Sequence, residues 1–177
     1  PRVGSALTVS GPRLRAAPIS PPLRIVLVEP EIPQNTGNIA RLAAATQSSL
    51  HLVGKLGFRI DEHAVRRAGL DYWHLVDLHE HDSLAGFQLA YPTARLRLYS
   101  AKAESSYLEA DIAPGDALVF GKESVGLSEE LVTEHAGSVF GIPTLGAVRS
   151  LNLANSAAII TFDALRRMGA FERCFLG

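Results

Sequence analysis

Cysteine is almost absent from this chain of 177 residues: Cys174, close to the C-terminal end, is the only one. A single thiol excludes an internal disulfide framework and a cysteine-rich zinc site, so neither organises the fold. Long apolar runs are missing too. No stretch reaches the roughly eighteen uninterrupted apolar residues that a membrane span needs, and the first residues lack the apolar core of a secretory signal. A cytoplasmic protein is the expectation. Nor does charge of one sign dominate. With 17 basic and 18 acidic side chains the formal charge is −1, which excludes a global positive field for gripping nucleic acid.

What is present is an apolar content of 47% against 20% charged residues, enough for one globular domain with a sizeable core. The charge is unevenly spread. Arg2, Arg13, Arg15 and Arg24 stand in the first 24 residues with no acid among them, leaving a balance of −5 over residues 25 to 177. Binding to nucleic acid would therefore rest on local patches. One runs from Arg41 through Lys55, Arg59 and Arg66 to Arg67, opposed only by Asp61 and Glu62. The alternative is that these are ordinary solvated charges.

Residues 1 to 22 contain five prolines and no sustained apolar period, and read as an extension outside the core. The chain starts with proline, which reads as a processed or trimmed start. From Leu23 onward, short β-branched and apolar runs alternate with segments of helical period, the pattern of a mostly parallel sheet covered by crossover helices. The predicted strands, about six, are Ile25 to Val28, Leu50 to Val53, His74 to Leu78, Leu96 to Tyr99, Ala117 to Phe120 and Ser138 to Ile142. Residues 23 to 177 thus read as a single α/β domain with helices on both faces. Between Asn38 and Gln47 a predicted helix buries Ile39, Leu42, Ala43 and Thr46, while Asn38 and Arg41 share another face. From Leu151 to Leu165 a helix is apolar in nearly every direction. Such a helix needs cover on more than one side, from a second subunit or from within its own domain.

Three loops that follow strands hold polar and glycine residues beyond what connection requires: Glu29 to Arg41, Gly121 to Leu127, and Ile142 to Asn155. Open α/β sheets bind ligands at such strand ends. Capping by Asn35, Thr36 or Ser150 and tight turns at Gly121 and Gly126 explain the residues singly. They do not explain Arg41 on an uncommitted face, nor Asn152 placed inside an apolar helix, where a buried amide needs partners. Other motifs fail. Gly121-Lys122 lacks the glycine spacing of a phosphate-binding loop, no G-x-G-x-x-G follows the first strand, and no G-x-S-x-G is present. His79-x-His81 reads as part of a polar loop and binds metal only with further ligands.

Asn35-x-Gly37-Asn38-x-x-Arg41, Gly121-x-Glu123-x-x-Gly126-Leu127, and Ile142-Pro143 with Ser150-x-Asn152-x-x-Asn155 resemble the three motifs of the SPOUT superfamily of RNA methyltransferases. Glu29 to Asn38 and Arg66-Arg67-Ala68-Gly69-Leu70-Asp71-Tyr72-Trp73 resemble its small, one-domain tRNA wobble-position 2′-O-methyltransferases. Gln34 stands where proline is common in that family, and Trp73 where histidine is often seen. The resemblance covers essentially Leu23 to Gly169.

It implies a C-terminal trefoil knot, a homodimer, and methyl transfer from S-adenosylmethionine to the ribose of tRNA nucleotide 34, a cytidine or modified uridine, with no metal. It also implies a cofactor pocket involving Tyr99, Gly121, Ile142, Ser150 and Leu151, largely through backbone groups. Arg41, Asn35, Glu123 and Asn152 are the implied catalytic set. Family proposals make the arginine a base. Guanidinium is the side chain least willing to lose a proton, so clamping phosphate and developing alkoxide charge suits Arg41 better, with Asn35 and Glu123 orienting it. Arg59, Arg66 and Arg67 are the expected phosphate contacts to the anticodon stem-loop. Tyr72 or Trp73 either stacks on an RNA base or packs in the core or dimer interface. The same scaffold is also compatible with another tRNA or rRNA ribose as target, or with a silent RNA-binding module.

Overall fold

The computed structural model describes residues 12–58 and 72–177. Its strands are β1 (Leu14–Ala16), β2 (Arg24–Val28), β3 (Ser49–Val53), β4 (Leu78–His81), β5 (Leu96–Tyr99), β6 (Ser105–Ser106), β7 (Ala117–Phe120), β8 (Val139–Gly141) and β9 (Cys174–Leu176). Among the described residues the α-helices are α1 (Pro33–Thr46), α2 (Leu84–Ala90), α3 (Glu129–Glu134) and α4 (Leu153–Arg167). Seven strands form one sheet in the order β4-β3-β2-β7-β5-β8-β6, with every pairing parallel.

Side chains alternate across a strand, and both faces of this sheet are apolar, as a sheet with helices on each side requires. Ile25, Leu27, Leu50, Leu52, Leu118 and Phe120 pack with Ile39, Ala40 and Ala43 of α1 and with Ala157, Ile160 and Ala164 of α4. The opposite face sets Val26, Val53, Leu98 and Val119 against Phe87 of α2 and Leu131 and Val132 of α3.

Several expectations are corrected. The strand placed at His74 to Leu78 begins only at Leu78 and runs to His81, because its ladder is set by Leu50 of β3 opposite Leu78, while Trp73–Leu75 forms a 3-10 turn. His79 and His81 therefore lie on an edge strand and not in a loop. Asn152 is not buried inside the last helix. It is the N-cap of α4, its Oδ1 accepting from the amides of Ala154 (2.9 Å) and Asn155 (3.2 Å). Ser150, the other capping candidate, is exposed two residues earlier. Within the expected extension, Leu14–Ala16 pairs antiparallel with Cys174–Leu176, and Ile19 packs against the main core. The short strand β6 adds a seventh member to the sheet. The face of α4 carrying Ile159 (39% exposed) and Phe162 (48% exposed) is only partly covered among the described residues, Phe162 stacking on Phe171.

Among several buried polar side chains, one is a histidine. His51 of β3 is fully buried among Phe87 and Tyr91, stacked on His79 and His81. Its ring bonds the Ser49 hydroxyl at 2.8 Å and the His81 ring at 3.0 Å. Burial, reinforced by His79, His81 and Arg24, pushes its pKa down to about 3. The unfolded chain takes up this proton near the ordinary value of about 6.5 whereas the folded one refuses it, so the associated stability is complete above that pH and is lost as pH falls toward 3. The expected loss from His51 between pH 7 and pH 5 is about 2 kcal/mol. Denaturant unfolding of the wild type and His51→Gln at both pH values tests this: the variant should lose markedly less stability on acidification, and equal losses would contradict the assignment.

Candidate active site

The parallel register carries three of the loops to one end of the sheet. Tyr99 is opposite Phe120 of β7 on one side and Phe140 of β8 on the other, so the chain leaves all three strands side by side at Ser100, Gly121 and Gly141. The first loop leaves β2, the other neighbour of β7.

Glu123 joins the first loop to the second. Its carboxylate accepts from the amides of Glu31 (2.8 Å) and Ile32 (3.1 Å) and from the Asn35 side-chain amide (3.0 Å). The N-cap residue of α1, Ile32, has no side-chain acceptor to offer, so a carboxylate from a loop 91 residues away does that work and places negative charge at the positive end of the helix. The arrangement is reciprocal: Glu31 accepts from the Ser124 amide at 3.0 Å, and hydrogen bonding from the Ser124 side chain, then from this amide, holds its carboxyl below the usual range. Lys122 and Glu29 add an ion pair at 2.8 Å, and the carboxylate raises the ammonium's pKa. Asn35 then joins the third loop, its Oδ1 accepting from Asn152 Nδ2 at 3.0 Å. Glu123, Asn35 and Asn152 thus form one hydrogen-bonded line across three loops and onto the N-termini of both helices of that face. A line in which each group is satisfied by the next fixes geometry more firmly than any pair alone.

The second loop is tightly closed. Lys122 and Gly126 exchange backbone hydrogen bonds of 3.2 and 2.9 Å, with Gly126 at φ +77°. Gly121 lies so close beneath this closure that a Cβ there would fall 2.2 Å from the Gly126 carbonyl carbon and 2.3 Å from the Leu127 amide nitrogen. Gly141 is similarly crowded, a Cβ meeting the Ser100 oxygen at 3.0 Å.

Of the residues expected at the cofactor, Gly121 and Ile142 lie at these adjoining strand ends, Ile142 packing partly on the core. Ser150 and Leu151 stand exposed on the approach to α4. The Tyr99 ring is buried against Phe120 and Phe140, and burial pushes its phenol pKa far upward. Only its backbone faces the loop junction, through Ser100.

Arg41 is exposed on α1, and its surroundings differ from expectation. Asn35 and Glu123 do not orient it, because both are committed to the loop junction. Instead its guanidinium carbon lies 4.5 Å from the centre of the Tyr72 ring, and the Tyr72 hydroxyl donates to the Gly37 carbonyl at 3.1 Å. Trp73 packs, partly buried, against the core. Arg59, Arg66 and Arg67 lie outside the described residues. Sequence reasoning missed Glu29 and Glu31 as partners of the second loop; opposite charges in two loops bound for the same strand ends were the available signal. Among the described residues no group of three or more His, Cys, Asp or Glu side chains is placed to hold a metal, and no helix is long and apolar enough to cross a membrane.

The fold is similar to that of an S-adenosylmethionine-bound rRNA methyltransferase of Sinorhizobium meliloti (TM-score 0.73, 24% identity, 87% of this chain and 62% of that one). At that identity the likeness concerns the fold alone. The chain belongs to the SpoU rRNA Methylase family, which matches residues 22–162. It is 42% identical over 146 residues to the tRNA (cytidine(34)-2′-O)-methyltransferase of Saccharophagus degradans, spanning 82% of this chain and 95% of that protein. A solved structure concerned with 2-OH methylation of C/U34 on tRNA is 47% identical, with a TM-score of 0.78 over 83% of this chain and 96% of its own.

Proposed function

We propose that this chain transfers a methyl group from S-adenosylmethionine to the ribose 2′-hydroxyl of tRNA nucleotide 34, a cytidine or modified uridine, acting as a cytoplasmic homodimer. The observation that carries the reading is the Glu123–Asn35–Asn152 line, which locks three polar loops together at one end of the sheet, with Arg41 further along α1 from Asn35. Its agreement with relatives named for this reaction supports the choice of substrate.

The loop junction fits the cofactor. Gly121 and Gly141 bring backbone close to backbone, and Ile142 supplies apolar surface for an adenine ring, while Leu127 is buried in the core of the opposite sheet face. We assign Tyr99, Gly121, Ile142, Ser150 and Leu151 to this pocket, Tyr99 through its backbone. S-adenosylmethionine supplies an electrophilic methyl group, so the protein's task is alignment of the hydroxyl and removal of its proton.

Arg41 presents five N–H donors and no acceptor, which suits it to hold an RNA phosphate and the oxygen as negative charge develops there. Glu123, Asn35 and Asn152 act by fixing the loops between which the ribose sits. Arg59, Arg66 and Arg67 contact anticodon-arm phosphates. The partly exposed α4 face with Ile159 and Phe162 packs against the second copy, and the C-terminal half forms the trefoil knot, with residues 23 to 177 as the methyltransferase domain and 1 to 22 as an N-terminal extension tied back to it through β1 and Ile19.

Purified protein incubated with methyl-labelled S-adenosylmethionine and unmodified whole tRNA tests the reading. Label should appear in a ribose-methylated pyrimidine nucleoside; label on a base, or no transfer, contradicts it.

A further inference from the structure

We infer that Tyr72 is the positioning residue that holds the Arg41 guanidinium in its working orientation, an inference that rests on the proposed role of Arg41 in methyl transfer. Arginine on an exposed helix face is long and rotationally free, and a clamp for phosphate and alkoxide must present its edge in one direction. Tyr72 supplies that constraint. The guanidinium carbon lies 4.5 Å from its ring centre, where the ring's negative face attracts the cation. Attraction to the ring constrains the guanidinium without consuming its N–H donors, which stay available for oxygen ligands.

The ring is itself tied to the same helix. Its hydroxyl donates at 3.1 Å to the Gly37 carbonyl, the group that accepts the Arg41 backbone amide in α-helical i to i−4 geometry. Tyr72 is thus registered to Arg41 at both ends, by its hydroxyl on the preceding turn and by its ring on the side chain. Its backbone is anchored as well. Tyr72 is the N-cap of the 3-10 turn Trp73–Leu75, its carbonyl accepting from Leu75 at 2.8 Å, and Trp73 packs on the core. These contacts give Tyr72 a role other than stacking on an RNA base, since one face of its ring is already occupied.

Tyr72→Leu and Tyr72→Phe, made in the full chain, separate the possibilities. Loss of the ring should lower kcat about tenfold while KM for S-adenosylmethionine and for tRNA stays within about threefold, and Tyr72→Phe should remain within about threefold of wild type. A spectroscopic signature independent of turnover accompanies this. The Arg41 side-chain resonances, identified by their loss in Arg41→Lys, should be shifted upfield by the ring current in wild type and Tyr72→Phe and should lose that shift in Tyr72→Leu. Tyr72→Gln provides a second ring-free variant if the leucine protein does not fold.

Wild-type kcat in the ring-free variants would overturn the inference, as would a loss confined to KM for tRNA, which would make the ring a base platform. Absence of the upfield shift in wild type would overturn it too. Failure of the wild-type protein to methylate nucleotide 34 would instead count against the proposed substrate, while the resonance shift still reports whether the ring holds Arg41.

Discussion

Arg41→Lys lowers turnover about a hundredfold and leaves affinity for S-adenosylmethionine within about threefold. The magnitude follows from what the substitution keeps and removes. Lysine retains the positive charge, so steering of tRNA is largely preserved, but a compact ammonium cannot present the planar fork that binds two oxygens at once. Loss of one preorganised donor to a developing oxyanion costs about 10² to 10³ in rate. Affinity is spared because Arg41 lies on the exposed face of α1, outside the strand-end cradle of Gly121, Gly141 and Ile142. Calorimetric titration with the cofactor alongside single-turnover methyl transfer separates the two effects. Equal losses in both would make Arg41 a structural residue.

Gly121→Ala abolishes measurable turnover and weakens cofactor binding at least tenfold while the protein remains folded. The added methyl would lie 2.2 and 2.3 Å from backbone atoms of Gly126 and Leu127, and neither can swing aside as a flexible side chain would. The Lys122–Gly126 closure must open, which displaces Glu123 from the amides of Glu31 and Ile32 and from Asn35. Misplacement of about 1 Å at a reacting centre costs about 10²-fold in rate, and here the same movement disturbs both cofactor cradle and loop junction. Leu127 at the end of the loop belongs to the sheet core, but the strands pair with one another without it, so circular dichroism should change little. Near-wild-type binding and turnover would show that the closure plays no part in the site.

The layered fold was legible because both sheet faces are buried. Runs such as Ile25 to Val28 and Ala117 to Phe120 are apolar on both sides of the strand, and that signal survives without knowledge of their partners. β4 was misplaced because it is an edge strand. His79, Glu80 and His81 look like loop residues until β3 supplies the ladder opposite them. β1 and β9 were invisible for a related reason: each is three residues long and largely exposed, and only pairing between the two ends of the chain defines them.

The same distinction governs the site. Arg41, Asn35, Glu123 and Asn152 were found by motif, and Arg41 on the exposed face of its helix by periodicity. Their mutual relations were not accessible, since the bonds run between residues 88 and 117 positions apart in sequence. Asn152 looked like an amide stranded in an apolar helix because a cap and a first-turn residue differ by a single position. Tyr72 presented two roles on the page of the sequence, and its third partner, Arg41, emerged only from packing.

The most direct measurement is made on the product. After reaction of unmodified tRNA with S-adenosylmethionine and this protein, partial alkaline hydrolysis reads the state of every ribose, because cleavage needs a free 2′-hydroxyl beside the phosphate. The account predicts one gap in the ladder, at the bond following nucleotide 34, absent when Arg41→Lys is used under the same conditions. An unbroken ladder despite methyl incorporation, or a gap at another nucleotide, would contradict it.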